Sequence, residues 1–250
     1  MKWRSLQESS PEKEPRRLYE VFAERRELIA RYVPAEIQAI HAKAVEELKH
    51  AGVGEKALKA GDPAPNFELP DQNGKRVRSA ELLARGPLVI CFIRGRWCPF
   101  CVGQMEAMNT IIPELEKLGA SLVAISPQTV HQSFLMADQH KLTFPLLSDE
   151  ANQVARQFGL VYRVQEYQQE VYRRAFTNLP FINGDESWEL PIPGTYIVGM
   201  RSADESTQPF PASEGGSHLA ARVLYAFANP EYTERPEPAE LLARIGQLPS

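Results

Sequence analysis

The sequence predicts an α/β fold: a central sheet with helices on both faces, preceded by an N-terminal helical extension. Three observations carry that prediction. Leu88-Val89-Ile90-Cys91-Phe92-Ile93 is an unbroken apolar run, the length of a strand and apolar enough to be buried on both faces. After Gly61, strand-like runs alternate with stretches of helical periodicity. The first sixty residues read differently. They hold 12 basic and 10 acidic side chains, with glycine only at 52 and 54.

In that extension Leu18, Val21, Phe22, Leu28 and Ile29 recur at helical spacing, and so do Ile37, Ile40, Ala44, Val45 and Leu48. Pro34 fits the first turn of the second helix and Gly52 its C-terminal cap. Isolated helices this short are marginal in water, so the apolar stripe must be covered. Two coverings are open: the chain's own globular domain, or a second copy in a homodimer formed through the N-terminal helices. The texture divides the chain into an extension over residues 1–60 and a globular domain over 61–250.

Within that domain residues 61–70 form an extended, proline-punctuated entry. Asp71-Gln72-Asn73-Gly74 is a hairpin-type turn. A helix is expected over 98–118, kinked by Pro113, then a strand over 121–125 and a helix over 130–140. A short strand follows over 144–147, and a helix over 151–158 closed by Gly159. Two later strands are read at 195–198 and 223–227, and a last helix over 238–245. Between those strands lies an insertion at 199–222, rich in Ser, Gly, Pro and Ala, which reads as a solvated loop.

Composition excludes several classes. A formal net charge of −4 and a pI near 5.8 give no electrostatic reason to expect nucleic acid. No stretch approaches the ~18 to 20 apolar residues of a membrane span. The basic N-terminus has no apolar core after it, so a secretory signal is not expected. Three cysteines cannot form a disulfide framework, and an odd count suits a reducing compartment. A cytoplasmic protein is expected, with no nucleic-acid partner and no membrane association.

The chemistry gathers in Arg94-Gly95-Arg96-Trp97-Cys98-Pro99-Phe100-Cys101. A C-x-x-C pair where a strand ends and a helix begins puts Cys98 at the helix N-terminus. Unpaired backbone N–H groups and the helix dipole stabilise a thiolate there. Arg94 and Arg96 add positive charge, and in such settings a thiol titrates well below ~8.5. Cys101, one turn on, can attack Cys98 once that sulfur is oxidised or in a mixed disulfide. Pro99 fits the first helical turn. Cys98 is therefore the candidate nucleophile and Cys101 the resolving thiol. A zinc site would need a second ligand pair, and the five histidines offer no such spacing, so no metal is expected. Cys91 lies inside the apolar strand and reads as a small hydrophobe. No phosphate loop or dinucleotide fingerprint is present, so no cofactor is expected.

The segments GDPAPNFELPDQNGK (61–75), RGRWCPFC (94–101), GASLVAISPQT (119–129), LTFPLLSD (142–149), NGDESWELPIPGTYIV (183–198) and NPEYTERPEPAELLA (229–243) together resemble the peroxiredoxin-like branch of the AhpC/TSA family, within the thioredoxin superfamily. That resemblance implies a thioredoxin-like, peroxiredoxin-type sheet over 61–250 with redox chemistry at Cys98. It also implies a cis-proline at Pro193 facing the redox cysteine, and Trp97 and Trp188 are candidates for the rim, with packing as the other reading of Trp188. Peroxiredoxins resemble one another in Pro-x-x-x-Thr/Ser-x-x-Cys, but the matching positions here are Cys91 and Gly95. The arginine they carry before the late strand is replaced by Pro193. Arg94 or Arg96 is then the candidate donor to a peroxide oxygen, the other pointing into water.

The expected function is a thiol-dependent peroxidase, recycled by thioredoxin or a similar dithiol. The alternatives are a thiol–disulfide oxidoreductase acting on protein disulfides, favoured by the C-x-x-C spacing and Pro193, and a redox-sensing, partner-binding protein.

Overall fold

The computed structural model describes residues 16–202 and 219–248. Two helices come first, α1 (Leu18–Tyr32) and α2 (Ala35–His50), and Pro34 sits in the break between them. β1 (Glu68–Pro70) and β2 (Arg76–Arg78) form a hairpin with Leu69 opposite Val77. The Asp71 carboxylate accepts from the backbone N–H of Asn73 and Lys75, and Gly74 takes the left-handed step at φ +78°. The chain continues through α3 (Ser79–Leu83), β3 (Leu88–Phe92), α4 (Pro99–Asn109), α5 (Ile112–Lys117), β4 (Ser121–Ser126), α6 (Val130–His140), β5 (Leu146–Ser148) and α7 (Gln153–Gln157). It ends with β6 (Val161–Arg163), α8 (Glu166–Arg174), α9 (Leu179–Asn183), β7 (Glu189–Pro191), β8 (Gly194–Ser202), β9 (Leu219–Ala228) and α10 (Pro238–Gly246).

The central sheet has the order β5-β4-β3-β8-β9. β3 pairs parallel to β4 and antiparallel to β8. Every residue of β3 is buried, and its alternation divides the interior in two. Val89 and Cys91 face a core shared with α4. Leu88, Ile90 and Phe92 face another, shared with Phe158 and Tyr196.

The helical extension packs on this same chain. Leu18, Val21 and Phe22 belong to the core that holds Cys98 and Cys101. Phe22 meets Phe100 edge-on at 5.1 Å, a contact worth about 0.5 to 1.5 kcal/mol beyond its area. The buried Arg25 reaches across to the Pro99 carbonyl. Gly103 permits this crossing, because a Cβ there would fall 2.0 Å from an Arg25 nitrogen. α2 lies against α8, with Lys43 over the Tyr167 ring at 4.5 Å.

Several elements differ from the sequence reading. Pro113 does not kink one long helix: α4 stops at Asn109, and Pro113 sits in the first turn of α5. A proline there lacks an N–H that would have no helical partner in any case, so it starts a helix more cheaply than it bends one. The segment at 199–222 is not a loop at its flanks. Gly199 pairs with Arg222, Met200 with Ala221 and Arg201 with Ala220, so the hairpin is longer than expected. The rest of that insertion, 203–218, lies outside the described residues. The helix expected from 151 begins only at Gln153, because Ala151 and Asn152 are both left-handed. The Asp149 carboxylate accepts from Val154 and Ala155 to start it. Among the described residues no helix is long and apolar enough to cross a membrane.

Candidate active site

The site grows from the C-terminal end of β3. Ile93 extends the strand by donating to the Ile125 carbonyl at 2.9 Å, and the chain then turns sharply at Gly95, φ +137°. A Cβ at that position would lie 2.9 Å from Trp97 Nε1 and 3.3 Å from Gln128 Oε1. Both the backbone conformation and the Trp97 ring therefore require glycine. The turn delivers Cys98 to the residue just before α4, with Pro99 in the first helical turn. Cys98 Sγ accepts from the Cys101 backbone N–H at 3.4 Å and from Arg94 Nη2 at 3.1 Å.

Arg94 is nearly inaccessible, at 4 % exposure. Its guanidinium lies 4.1 Å from the Tyr232 ring centroid and 5.1 Å from that of Trp97. Such stacking offsets part of the cost of burying the charge. Arg96 goes elsewhere: its Nε donates to Gln132 Oε1 at 2.6 Å and its backbone N–H to Gln128 Oε1 at 3.0 Å, tying the turn to α6. The structure thus brings Arg94, Trp97, Cys98 and Cys101 together and leaves Arg96, half-buried, bonded to α6.

Pro193 differs from expectation. No cis peptide occurs among the described residues, so the Ile192–Pro193 bond is trans. Ile192 donates to the Leu160 carbonyl at 2.8 Å and the Pro193 carbonyl accepts from Asn229 at 3.2 Å. These bonds hold residues 191–194 extended between β7 and β8, which a trans bond suits. Trp188 packs beside Val164, Tyr172 and Leu190, under the Arg173 guanidinium at 4.8 Å.

Three residues of the site arrive from far along the chain. Arg235 donates through Nε to Gln104 Oε1 at 2.9 Å, and its Nη2 lies 3.9 Å from Cys101 Sγ. Gln104 donates in turn to Thr195 Oγ1 at 3.1 Å, which anchors Arg235 to β8. Tyr232 stacks on Arg94. His41, from α2, stands 6.0 Å from the Tyr172 ring and within 3.3 Å of Gln168 Nε2. Their only sequence signal is the segment 229–243 for Tyr232 and Arg235; His41 has none.

The two thiols are driven in opposite directions. Burial pushes Cys98 up, but a hydrogen bond from the Cys101 thiol together with the Arg94 and Arg235 charges outweighs it and holds this thiol well below its ordinary value. Burial pushes Cys101 up, and the neighbouring Cys98 thiolate pushes it further, so Cys101 keeps its proton. Cys91 is buried in β3, and burial lifts it to about 12. The site therefore holds a buried thiolate at a helix start, beside two arginines and a protonated partner thiol.

Residues 60–202 match the AhpC/TSA family, more than half of the chain. The chain belongs to that family. It is 37 % identical to peroxiredoxin Bcp of Escherichia coli over 103 residues, 41 % of this chain and 65 % of that protein. It is 34 % identical over 100 residues to chloroplastic peroxiredoxin Q of Oryza sativa, 40 % of this chain and 46 % of that one. The chain therefore spans about half to two-thirds of these relatives' length. Peroxidoxin BcpB of Mycobacterium tuberculosis has the same fold, with a TM-score of 0.54 and 22 % identity, over 77 % of this chain and 99 % of that one. The AhpC/TSA match ends before Tyr232 and Arg235 and begins after His41.

Proposed function

We propose that this AhpC/TSA protein is a thiol peroxidase that uses Cys98 and Cys101 in turn. The observation that carries the reading is the Cys98 sulfur, buried, below its ordinary pKa and 3.1 Å from Arg94 Nη2. The Cys98 thiolate attacks the terminal oxygen of a hydroperoxide. The S–O bond forms as the O–O bond breaks, leaving Cys98 as a sulfenic acid and an alkoxide or hydroxide that takes a proton from water. Arg94 is placed to donate to the oxygen on which charge develops.

The second step follows from the first. Oxidation removes the Cys98 thiolate charge that held Cys101 protonated, while Arg94 and Arg235 remain beside it. Cys101 then attacks the Cys98 sulfur, expelling water and closing a disulfide. A thioredoxin-type dithiol reduces that disulfide and restores both thiols. Full burial of Cys98 favours a hydroperoxide over the disulfide of a folded protein, which needs an exposed attacking sulfur. In this reading residues 61–250 form the redox domain, in the cytoplasm, and residues 1–60 extend it. A homodimer through the extension would use the outer faces of α1 and α2, since Leu18, Val21 and Phe22 are occupied within the chain.

The test is NADPH consumption with thioredoxin, thioredoxin reductase and a hydroperoxide. Cys98→Ser should abolish turnover. Cys101→Ser should complete one oxidation and then stall. Full turnover by Cys98→Ser would end the proposal.

A further inference from the structure

A cavity of about 550 Å³ opens in front of Arg94, with walls from α1, α2 and residues 231–233. Neither Gln104 nor Arg235 lines it. These two residues belong instead to a chain of hydrogen bonds that ends at Cys101, and attack on a peroxide makes no use of it.

Gln104 stands one turn after Cys101 on the same face of α4 and has no exposed surface. A buried amide must find partners for both its oxygen and its nitrogen. Gln104 finds them on two different parts of the fold. Its Nε2 donates to Thr195 Oγ1 of β8 at 3.1 Å, and its Oε1 accepts from Arg235 Nε at 2.9 Å. Thr195 is itself fully buried in the central sheet, so the far end of the chain is fixed.

Arg235 has few other ties. Its Nη1 donates to the carbonyls of Tyr232 and Glu234, which belong to the same short segment and move with it. Among the described residues, Gln104 supplies the one side-chain oxygen that Arg235 bonds. The remaining nitrogen, Nη2, lies 3.9 Å from Cys101 Sγ. A guanidinium holds its donors in a rigid planar fork, so anchoring Nε decides where Nη2 lies. Cys101, Gln104 and Thr195 fall inside the AhpC/TSA segment and Arg235 outside it. Gln104 is the joint through which the later segment reaches the second thiol.

We propose that Gln104 is a positioning residue: it holds the Arg235 guanidinium against Cys101 and so sets how fast Cys101 closes the disulfide. This rests on the peroxidase reading and concerns its second step alone. In that step Cys101 bonds to the Cys98 sulfur as the S–O bond of the sulfenic acid breaks, and the Cys101 proton leaves with the hydroxide as water. A cation at Nη2 stabilises the negative charge that gathers on Cys101 as its proton goes.

The test reads both phases of oxidation by stopped-flow tryptophan fluorescence. Gln104→Leu keeps the bulk of the side chain and loses both bonds. It should slow the second phase about tenfold and move that phase's pH midpoint up by about one unit, with the first phase changed by less than about twofold. Thr195→Val should act in the same direction more weakly, and Thr195→Ser, which keeps the hydroxyl, should behave as the unmodified protein. Arg235→Met gives the decisive background, in which adding Gln104→Leu should cost less than about a further twofold. Equal slowing by Gln104→Leu in both backgrounds, or an unchanged pH midpoint, would overturn the proposal, because a residue that only supports packing acts without Arg235 and moves no titration. A second arm needs no peroxide. In Cys98→Ser, the thiolate absorbance near 240 nm, with that of Cys98→Ser/Cys101→Ser subtracted, follows Cys101. Gln104→Leu should move this midpoint up by about one pH unit, and not at all on top of Arg235→Met. No shift in the first case would also overturn the proposal. If no hydroperoxide oxidises the unmodified protein, the peroxidase reading fails and this titration alone decides the role of Gln104.

Discussion

Residues 93–101 and the segments that cover them, 18–45 and 229–235, are built by different rules. The first is one continuous turn: Gly95 reverses the chain, Cys98 ends it, and α4 begins. Its chemistry comes from local geometry, since a helix start presents N–H groups to whatever side chain precedes it. The covering shell is assembled from sequence nearly fifty residues or more away on one side and more than a hundred on the other. It contributes a charge (Arg235), a stacking ring (Tyr232) and walls (Ile29, Val33, Ile37, His41). The turn makes a nucleophile; the shell decides its charge and what can reach it.

The comparison breaks most sharply at the two arginines of the turn. Arg94→Met removes the donor to Cys98 Sγ, so the second-order rate with hydroperoxide should fall about 10²- to 10³-fold. The midpoint of the thiolate absorbance near 240 nm should move to higher pH, because a charge that holds the thiol down is gone. Arg96→Met, which loses only the tie to Gln132, should cost no more than a few-fold. Equal losses in the two variants would show that charge near the turn matters and contact with the sulfur does not.

Arg235→Met sharpens the division of labour between turn and shell. Its Nη2 lies 3.9 Å from Cys101 Sγ, and Cys101 acts on its charge more strongly than Cys98 does, so the larger effect should fall on disulfide closure. Stopped-flow tryptophan fluorescence should show that second phase slowed about tenfold and the first phase slowed less. The magnitude follows from removing one charge close to a developing thiolate, about 1.4 kcal/mol. Equal slowing of both phases would place Arg235 in the shared field of the pair.

What could be read from residues alone follows the same line. The placing of Cys98, Pro99 and Cys101 at the start of α4 was legible because it depends on neighbours within a turn of the chain, whereas the choice between Arg94 and Arg96 stayed open until the structure put Arg94 on the sulfur. Gly95 looked like a lost hydroxyl; the structure shows it is demanded by φ +137° and by the Trp97 ring. Pro193 was expected as a cis-proline by resemblance, and the extended 191–194 connection leaves it trans. Residues 161–191 carry two three-residue strands and the mostly polar helix α8, patterns too short or too polar for periodicity to mark. Arg235, Tyr232 and His41 were missed because only tertiary packing brings them to Cys101, to Arg94 and to the rings around it.

His41 offers the gentlest test, and it couples shell to turn. Burial, and then the Arg94 charge, hold its imidazole at about 4, where an unfolded histidine titrates near 6.5. Tyr172, Tyr232 and Gln168 are its other neighbours, none of them anionic at neutral pH. Between these values the unfolded chain binds a proton that the folded chain refuses, so stability rises with pH through this window. The full contribution is present above pH 6.5 and is lost as pH falls toward 4, reaching about 3 kcal/mol. His41→Gln removes the titration. Urea unfolding of the two proteins should then differ by a constant amount at pH 7 and above, and the native protein should lose stability more steeply below pH 6. Adding Arg94→Met should flatten that difference, because one of the two causes of the depressed imidazole is gone. If the stability difference between native and His41→Gln protein is the same at pH 7 and pH 5, the imidazole is not held between Arg94 and the aromatic rings, and the cavity is open to water at this wall.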